Sequence, residues 1–353
     1  MFHNTFITPT ETYFAAANGY TGFRSYFNRI FSPQEFTRIY VLKGGPGTGK
    51  SSLMKKVCAA AQSKNFTTEA IFCSSDPQSL DGIIINTKTK RYAVIDGTAP
   101  HETDTKLPGA ADEIINLGEN WLNEKLIEQR ETIVKLNAEK SHYYKSAYTY
   151  LSLAGEFSER ISKTALDSYE HSDAEQIQQL LTGLKSTNET YSPMVKLLSS
   201  FSKNGYKKLD IKHFPGNRKC SVIGKFGSEF IFMNHLLRVA KLYSIKFVRY
   251  PSPFSDEITE ALYFTDDGFF ISAGTDFERI IDTSAFLNSK RIDSSSHFLS
   301  YAGAQKRDLL NKAQEEFSLA SERHFSLERI YTPAMNFEKS DVFADKIIAD
   351  ICS

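Results

Sequence analysis

Apolar positions along the chain fall into short alternating or β-branched runs and longer stretches with helical spacing. Thr37-Arg38-Ile39-Tyr40-Val41-Leu42-Lys43 predicts a strand. It runs into the glycine-rich Gly44-Gly45-Pro46-Gly47-Thr48-Gly49, after which Leu53, Met54, Val57 and Ala61 recur at helical spacing. Thr68-Glu69-Ala70-Ile71-Phe72-Cys73 predicts a second strand. Ile83-Ile84-Ile85, a polar stretch from Asn86 to Lys90, and Tyr92-Ala93-Val94-Ile95 predict a hairpin that ends at Asp96. Between Trp121 and Lys163, Leu136, Tyr143, Ala147, Leu151 and Ala154 mark one face of a long helical stretch.

The same order then recurs. Ser221-Val222-Ile223-Gly224-Lys225-Phe226-Gly227-Ser228-Glu229-Phe230 overlays the first strand and glycine turn with Gly224 on Gly44 and Gly227 on Gly47. A helical stripe follows (Met233, Leu236, Leu237, Ala240), then a strand over Ile245 to Tyr250. A hairpin of Ala261 to Phe264 and Phe269 to Ser272 turns at Asp266-Asp267-Gly268. Gly274-Thr275 matches Gly97-Thr98, with Ala273 where Asp96 stands. A second helical stretch within Phe298 to Ile330 carries Leu310, Ala313, Phe317 and Ala320 on one face. The tails also rhyme, Ser168-Tyr169-Glu170-His171-Ser172-Asp173 against Asn336-Phe337-Glu338-Lys339-Ser340-Asp341.

The chemistry is concentrated in the first copy. Gly44 to Ser51 fits G-x-x-x-x-G-K-S between a strand and a helix, the context of a phosphate-binding P-loop. Its glycines let backbone N–H groups converge on phosphate oxygens, and the helix N-terminus adds positive field. The expected nucleotide contacts are Gly44, Gly45, Pro46, Gly47, Thr48, Gly49, Lys50, Ser51 and Ser52, with Lys50 on the β- and γ-phosphates and the Ser51 hydroxyl on Mg²⁺. Asp96 is assigned as the Walker B acid and second Mg²⁺ ligand; the alternative is a cap after a buried strand. Asp76 either orients water or a substrate hydroxyl, or binds Mg²⁺ through water, or simply starts a turn with Pro77. His101 either contacts phosphate or moves a proton, or is a solvated loop histidine. In the overlay Glu229, Phe230 and Ile231 replace Gly49, Lys50 and Ser51, so the second copy lacks the phosphate lysine and the metal hydroxyl.

Composition narrows the classes. The 353 residues carry 42 Lys+Arg against 42 Asp+Glu, so net charge points to neither nucleic acid nor an anionic membrane. Tyr143, Tyr144, Tyr148 and Tyr150 beside Lys140 and Lys145 could stack bases, but a helical core or a partner surface is the simpler use. No apolar run reaches the roughly 18 residues of a membrane span, and the start Met1-Phe2-His3-Asn4-Thr5 has no signal-peptide pattern, so a cytoplasmic location is the expectation. Cys58, Cys73, Cys220 and Cys352 lack C-x-x-C spacing, which suggests free thiols.

The fold expected is α/β, a P-loop NTPase-type three-layer sandwich present twice, each copy with a helical appendage. The boundaries are 1–120 for the active copy, 121–190 for its appendage, 191–292 for the degenerate copy and 293–353 for the C-terminal appendage.

Across nearly its whole length the chain resembles a family of little-characterised bacterial tandem P-loop proteins described as ATPases or nucleotide kinases. The resemblance rests on Leu42 to Lys56, on Cys73-Ser74-Ser75-Asp76-Pro77 with Ser79-Leu80-Asp81-Gly82, on Asp96-Gly97-Thr98-Ala99-Pro100-His101, and on Pro108-Gly109-Ala110 with Asp112 to Gly118. Relatives of that kind tend to keep an intact second P-loop, and this chain departs at Glu229, Phe230, Ile231 and Ala273. The resemblance implies nucleotide binding, with ATP favoured over GTP, and names no phosphate acceptor. Two functions compete: Mg²⁺-dependent ATP hydrolysis or phosphoryl transfer in the first half, or an ATP-dependent switch whose helical arms hold a protein partner. Gly97, where a catalytic glutamate would follow Asp96, weakens the case for rapid hydrolysis. A catalytic arginine would come from another protomer or the second half, with Arg38, Arg91 and Arg279 as candidates.

Overall fold

The computed structural model describes residues 9–76, 78–100, 102–170, 172–188, 191–212, 214 and 216–352. Residues 1–5, Pro77, His101 and His171, all weighed above, lie outside them. The described chain opens with β1 (Glu11–Phe14), the hairpin of β2 (Ala16–Gly19) and β3 (Gly22–Ser25), and one turn of helix, α1 (Phe27–Ile30). There follow β4 (Arg38–Lys43), α2 (Lys50–Ser63), β5 (Thr67–Phe72), β6 (Leu80–Asn86), β7 (Arg91–Asp96) and β8 (Asp112–Asn116). A short α3 (Asn123–Glu128) leads into the long α4 (Arg130–Asp167), and α5 (Ala174–Leu181) closes this half.

The second half has the hairpin of β9 (Ser199–Ser202) and β10 (Gly205–Lys208), then β11 (Arg218–Ile223), α6 (Ser228–Leu242), β12 (Val248–Pro251), β13 (Thr259–Phe264), β14 (Phe269–Ala273) and β15 (Ile280–Asp282). It ends in α7 (Ser289–Ser294), the long α8 (Ser296–Tyr331) and α9 (Phe337–Cys352). The protein is thus mixed α/β, with several sheets and nine α-helices among the described residues. None of these helices is long and apolar enough to cross a membrane.

The two main sheets share one strand plan. The first has the order β1-β5-β6-β7-β4-β8 and the second β12-β13-β14-β11-β15. In each, the strand before the glycine turn lies between two parallel neighbours, and a hairpin extends the sheet outward. Residue alternation explains why both faces of the first sheet are covered. Tyr40, Leu42, Ile83, Ile85, Tyr92 and Val94 point toward α2, whereas Ile39, Val41, Ile84, Ala93 and Ile95 point to the opposite core with Phe27 and Phe31. The halves also join through backbone: the Phe14 N–H donates to Leu197 O at 2.8 Å and the Leu197 N–H donates to Phe14 O at 3.0 Å.

The helical arms depart from the expected layout, because each docks on the other half. At about 1.5 Å per residue α4 and α8 each extend over 50 Å. They pack on each other through Ala147, Leu151, Ala313 and Phe317. Small alanines in this stripe let the helix axes come close. Beyond α4, α5 places Ile177, Leu180 and Leu181 in the core of the second sheet, against Phe232, Met233 and Leu236 of α6. Beyond α8, α9 places Ala344, Ile347 and Ile351 in the core of the first, against Leu53, Met54 and Val57 of α2. An appendage at 121–190 is therefore continuous in sequence but not in space.

The equivalent hydrogen bonds also correct the overlay. Leu122 N–H donates to Ala334 O at 2.7 Å and Asn288 N–H to Ser168 O at 2.8 Å, which matches Tyr169 with Met335, two positions away from the rhyme of the tails. Six residues separate β4 from α2 but only four separate β11 from α6. Gly227, with φ +89°, opens its helix as Gly49 does with φ +83°. Gly227 thus takes the place of Gly49 rather than Gly47, and Ser228 and Glu229, rather than Phe230 and Ile231, follow it where Lys50 and Ser51 stand. The Ala273 match holds, since Val222 pairs with Ala273 as Leu42 pairs with Asp96.

Reciprocal docking makes the halves one cooperative unit. Leu180→Ala and Ile347→Ala should each destabilise the whole chain by about 2–5 kcal/mol. In urea unfolding followed by circular dichroism, each variant should lower the midpoint of a single transition; two separate transitions would contradict this coupling.

Candidate functional site

The glycine loop Gly44–Gly49 leaves the carboxyl end of β4 and turns directly into α2. Gly47 (φ +70°) and Gly49 (φ +83°) adopt the left-handed backbone that costs other residues roughly 1–2 kcal/mol. Thr48 is buried and its Oγ1 donates to Gly45 O at 2.9 Å, which fixes the loop from inside. Pro46 is half-buried and Ser52 is exposed on the first turn of α2.

Lys50 lies across this loop. Its Nζ donates to Gly44 O at 2.9 Å and to Gly45 O at 3.1 Å, and it stands 3.6 Å from Asp96 Oδ2. Asp96 reaches that position because β7 is the immediate parallel neighbour of β4, with Leu42 opposite Asp96. Its other oxygen, Oδ1, accepts from Thr98 N–H at 2.8 Å and from the Thr98 hydroxyl at 2.6 Å. Ser51 Oγ accepts from Leu80 N–H at 3.0 Å, tying the start of α2 to the start of β6.

This tie brings in Asp81, which was not singled out in the sequence. The antiparallel register sets Gly82 opposite Ile95, so Asp81 stands opposite Asp96, and both share the alternation of the residues that face α2. Asp81 is buried, and its charge helps to raise the Asp96 carboxyl. Asp81 and the half-buried Asp96 thus lie together at the carboxyl end of β7, with Lys50 3.6 Å from Asp96. Among the described residues no group of three or more His, Cys, Asp and Glu side chains could hold a metal ion unaided. The oxygens of Asp96, Asp81 and Ser51 suit a hard cation that draws its remaining ligands from water and phosphate.

Asp76 is not drawn into this group. Its Oδ1 accepts from Gln78 N–H at 3.4 Å and its carbonyl accepts from Ser79 N–H at 2.9 Å, so its carboxylate organises a turn after β5. Arg38 and Arg91 begin the strands whose far ends carry the loop and Asp96, and there they pair with Glu113 and with Glu35 and Glu69. A six-residue strand spans about 16–20 Å, which removes both from the loop. Arg279 belongs to the second sheet, where its backbone C=O accepts from Ser221 N–H at 2.7 Å.

The outer side of the loop is covered by the returning arm. A Cβ at Gly47 would lie 2.6 Å from Thr332 Oγ1 and 3.3 Å from Glu328 O, and one at Gly49 would lie 3.3 Å from the Phe337 ring. Trp121 sits 3.1 Å from a Cβ at Gly45, and its buried indole N–H finds no acceptor among the described residues. These glycines therefore serve close packing as well as backbone geometry. In the second half the corresponding loop has Ser228 and Ala273 in place of Lys50 and Asp96, and Ser228 Oγ is spent on Thr283 Oγ1 at 2.9 Å.

Burial raises the Asp96 carboxyl above the ordinary aspartate range, with Lys50 and Thr98 offsetting only part of it. A carboxyl so raised binds its proton more tightly in the folded than in the unfolded chain. Its contribution to stability is present at low pH and is lost as pH rises from the ordinary value, about 3.9, through the folded one. Asp96→Asn removes that loss, so its stability relative to wild type should climb across this interval. Urea midpoints at a series of pH values measure it, and a pH-independent difference would exclude the buried-carboxyl account.

Compared with protein-family models, with curated proteins and with solved structures, the chain matches none.

Proposed function

We propose that the first half binds a Mg²⁺-nucleoside triphosphate, ATP by the resemblance of its motifs, and hydrolyses it or transfers its γ-phosphate. The second half, on this reading, is a duplicated P-loop unit that has lost the chemistry and kept the scaffold. One observation carries the proposal. A glycine loop joins a parallel strand to a helix N-terminus, with Lys50 lying over its carbonyls beside the acid of the adjacent strand.

Each group then has a task. The N–H groups of Gly45 and of Gly47 to Ser51, with the amino end of α2, receive the phosphate oxygens, Pro46 having no N–H to give. Lys50 exchanges its loop carbonyls for the β- and γ-phosphates and neutralises charge on the transferred group. Ser51 and Asp96 hold Mg²⁺, with Asp81 beside them. Bound Mg²⁺ supplies charge neutralisation and orients the phosphate tail. The neighbouring carboxylates of Asp96 and Asp81 support this assignment, since a divalent cation would offset negative charge gathered at the end of β7.

A second reading keeps ATP as a ligand that is not rapidly consumed. The packing of the α8 end on Gly47 favours it, because a shift of the loop on binding must move the arm. A protein partner held by the arms would then follow the nucleotide state.

Mg²⁺-ATP binding and phosphate release by wild type and Lys50→Ala, side by side, test both. Binding should weaken about tenfold or more in the variant, as expected for loss of charge-assisted bonds to phosphate. Equal binding and equal turnover would refute nucleotide chemistry at this loop; tight Lys50-dependent binding without release would select the switch.

A further inference from the structure

The two oxygens of the Asp96 carboxylate are used differently. Oδ1 accepts from the Thr98 N–H at 2.8 Å and from the Thr98 hydroxyl at 2.6 Å, whereas Oδ2 stands 3.6 Å from Lys50 Nζ. A carboxylate oxygen offers two lone pairs, so both of those on Oδ1 are taken. The turn that carries Thr98 is itself held from two directions. Gly97 N–H donates to Leu42 O at 3.0 Å. Lys43 Nζ, which shares the alternation of Val41 and so lies on the face opposite α2, donates to Gly97 O at 2.8 Å and to Thr103 O at 2.9 Å. Gly97 fits closely there, since a Cβ would lie 2.4 Å from Val41 Cγ1. The end of β4 and the residues after Asp96 therefore set the direction in which its carboxylate points.

The second sheet builds the corresponding turn without a carboxylate. Gly274 N–H donates to Val222 O at 2.9 Å, as Gly97 N–H does to Leu42 O, but Ala273 stands where Asp96 does, so Thr275 has no acid two residues before it to hold. Ile223 takes the place of Lys43. The turn is held instead from the β9–β10 hairpin by Lys208, whose Nζ donates to Ala273 O at 2.9 Å and to Ser272 Oγ and Asp276 Oδ2, both at 2.7 Å. Six residues link β14 to β15, whereas fifteen link β7 to β8. A turn at this place thus closes without a threonine gripping an aspartate, and the half that has the grip is the half that has Lys50.

From this we infer that Thr98 is a positioning residue that makes Asp96 a one-oxygen ligand, and that the site thereby takes Mg²⁺ in preference to Ca²⁺. The inference rests on the nucleotide reading of the Lys50 loop. Mg²⁺ demands near-ideal octahedral geometry, binds through one or two carboxylates and keeps several waters, so Oδ2 alone serves it. Ca²⁺ collects about six to eight oxygens and readily takes both oxygens of one carboxylate. With Oδ1 spent on Thr98, that second contact is closed. Thr98 acts through Asp96, as hydrogen-bond partners of ligating carboxylates do, and Lys43 steadies the turn on which it stands.

Calorimetric titration of the full chain with ATP, in excess Mg²⁺ and in excess Ca²⁺, tests this with wild type, Thr98→Val, Thr98→Ala, Thr98→Ser and Lys50→Ala. Wild type should bind ATP about tenfold or more tightly with Mg²⁺ than with Ca²⁺. Thr98→Val and Thr98→Ala each free one lone pair of Oδ1, the first with the side-chain volume kept, and should lower that ratio by about tenfold. Thr98→Ser keeps the hydroxyl and should keep the ratio, which a role in packing alone would not produce. Melting curves establish folding, and one folded variant without the hydroxyl suffices; loss of folding in both would assign Thr98 to the fold rather than to the cation. A wild type indifferent to the cation, or hydroxyl-free variants with the wild-type ratio, would overturn the role of Thr98 while leaving the Lys50 site standing. If Lys50→Ala binds ATP as wild type does with either cation, the nucleotide reading fails and this inference fails with it.

Discussion

Each main sheet has one face closed by a helix that belongs, by sequence, to the other half, and the rest of the architecture depends on that exchange. Without α9 the apolar side of α2 around Leu53, Met54 and Val57 would lose Ala344, Ile347 and Ile351. Without α5 the second sheet would lose Ile177, Leu180 and Leu181. Burial of several aliphatic side chains at each dock, about 1.5–3 kcal/mol apiece, is large against the net stability of a typical domain. The long antiparallel pair α4 and α8 exists to carry the chain across and back, and its alanine-rich stripe sets how closely the two halves sit.

The same exchange decides what surrounds the glycine loop. Because α8 must return to the first sheet, its last turns pass over Gly47, and Phe337, opening α9, rests against Gly49. The hairpin β9–β10 rides on that arm and brings Lys203 along. The loop is thus met by Lys50 beside Asp96 from within and by Glu328, Thr332 and Phe337 of the returning arm from without. These contacts depend on the arm and hairpin rather than on Gly224–Gly227.

Much of this was legible in the sequence wherever local pattern and local structure coincide. The strand before Gly44, the helix after Gly49 and the hairpin ending at Asp96 follow from alternation and spacing, and β4, α2, β6 and β7 lie where those patterns put them. The arm stripes through Ala147, Leu151, Ala313 and Phe317 are buried as the periodicity requires. What periodicity does not contain is which half a helix covers, since an apolar face fits either sheet. The overlay of the two loops slipped by two residues because glycines can be matched without regard to which one is left-handed. Asp81 stands in the sequence only as part of Ser79-Leu80-Asp81-Gly82, with no role of its own, because its place beside Asp96 comes from cross-strand register, and the alternative turn role weighed for Asp76 is the one its hydrogen bonds support. Glu328 and Thr332 carry no motif at all; only the folded path of the second half brings them to Gly47.

Trp121 gives the molecule one more property. It is the single tryptophan of the chain, it bridges to Met335 at the root of the returning arm, and its ring lies against Gly45. The indole therefore touches both the loop and the arm at the point where the halves exchange. Its emission colour and intensity depend on how dry and how tightly closed that junction is, so the protein carries an intrinsic optical gauge that senses, without any label, whether the two halves grip the loop or release it.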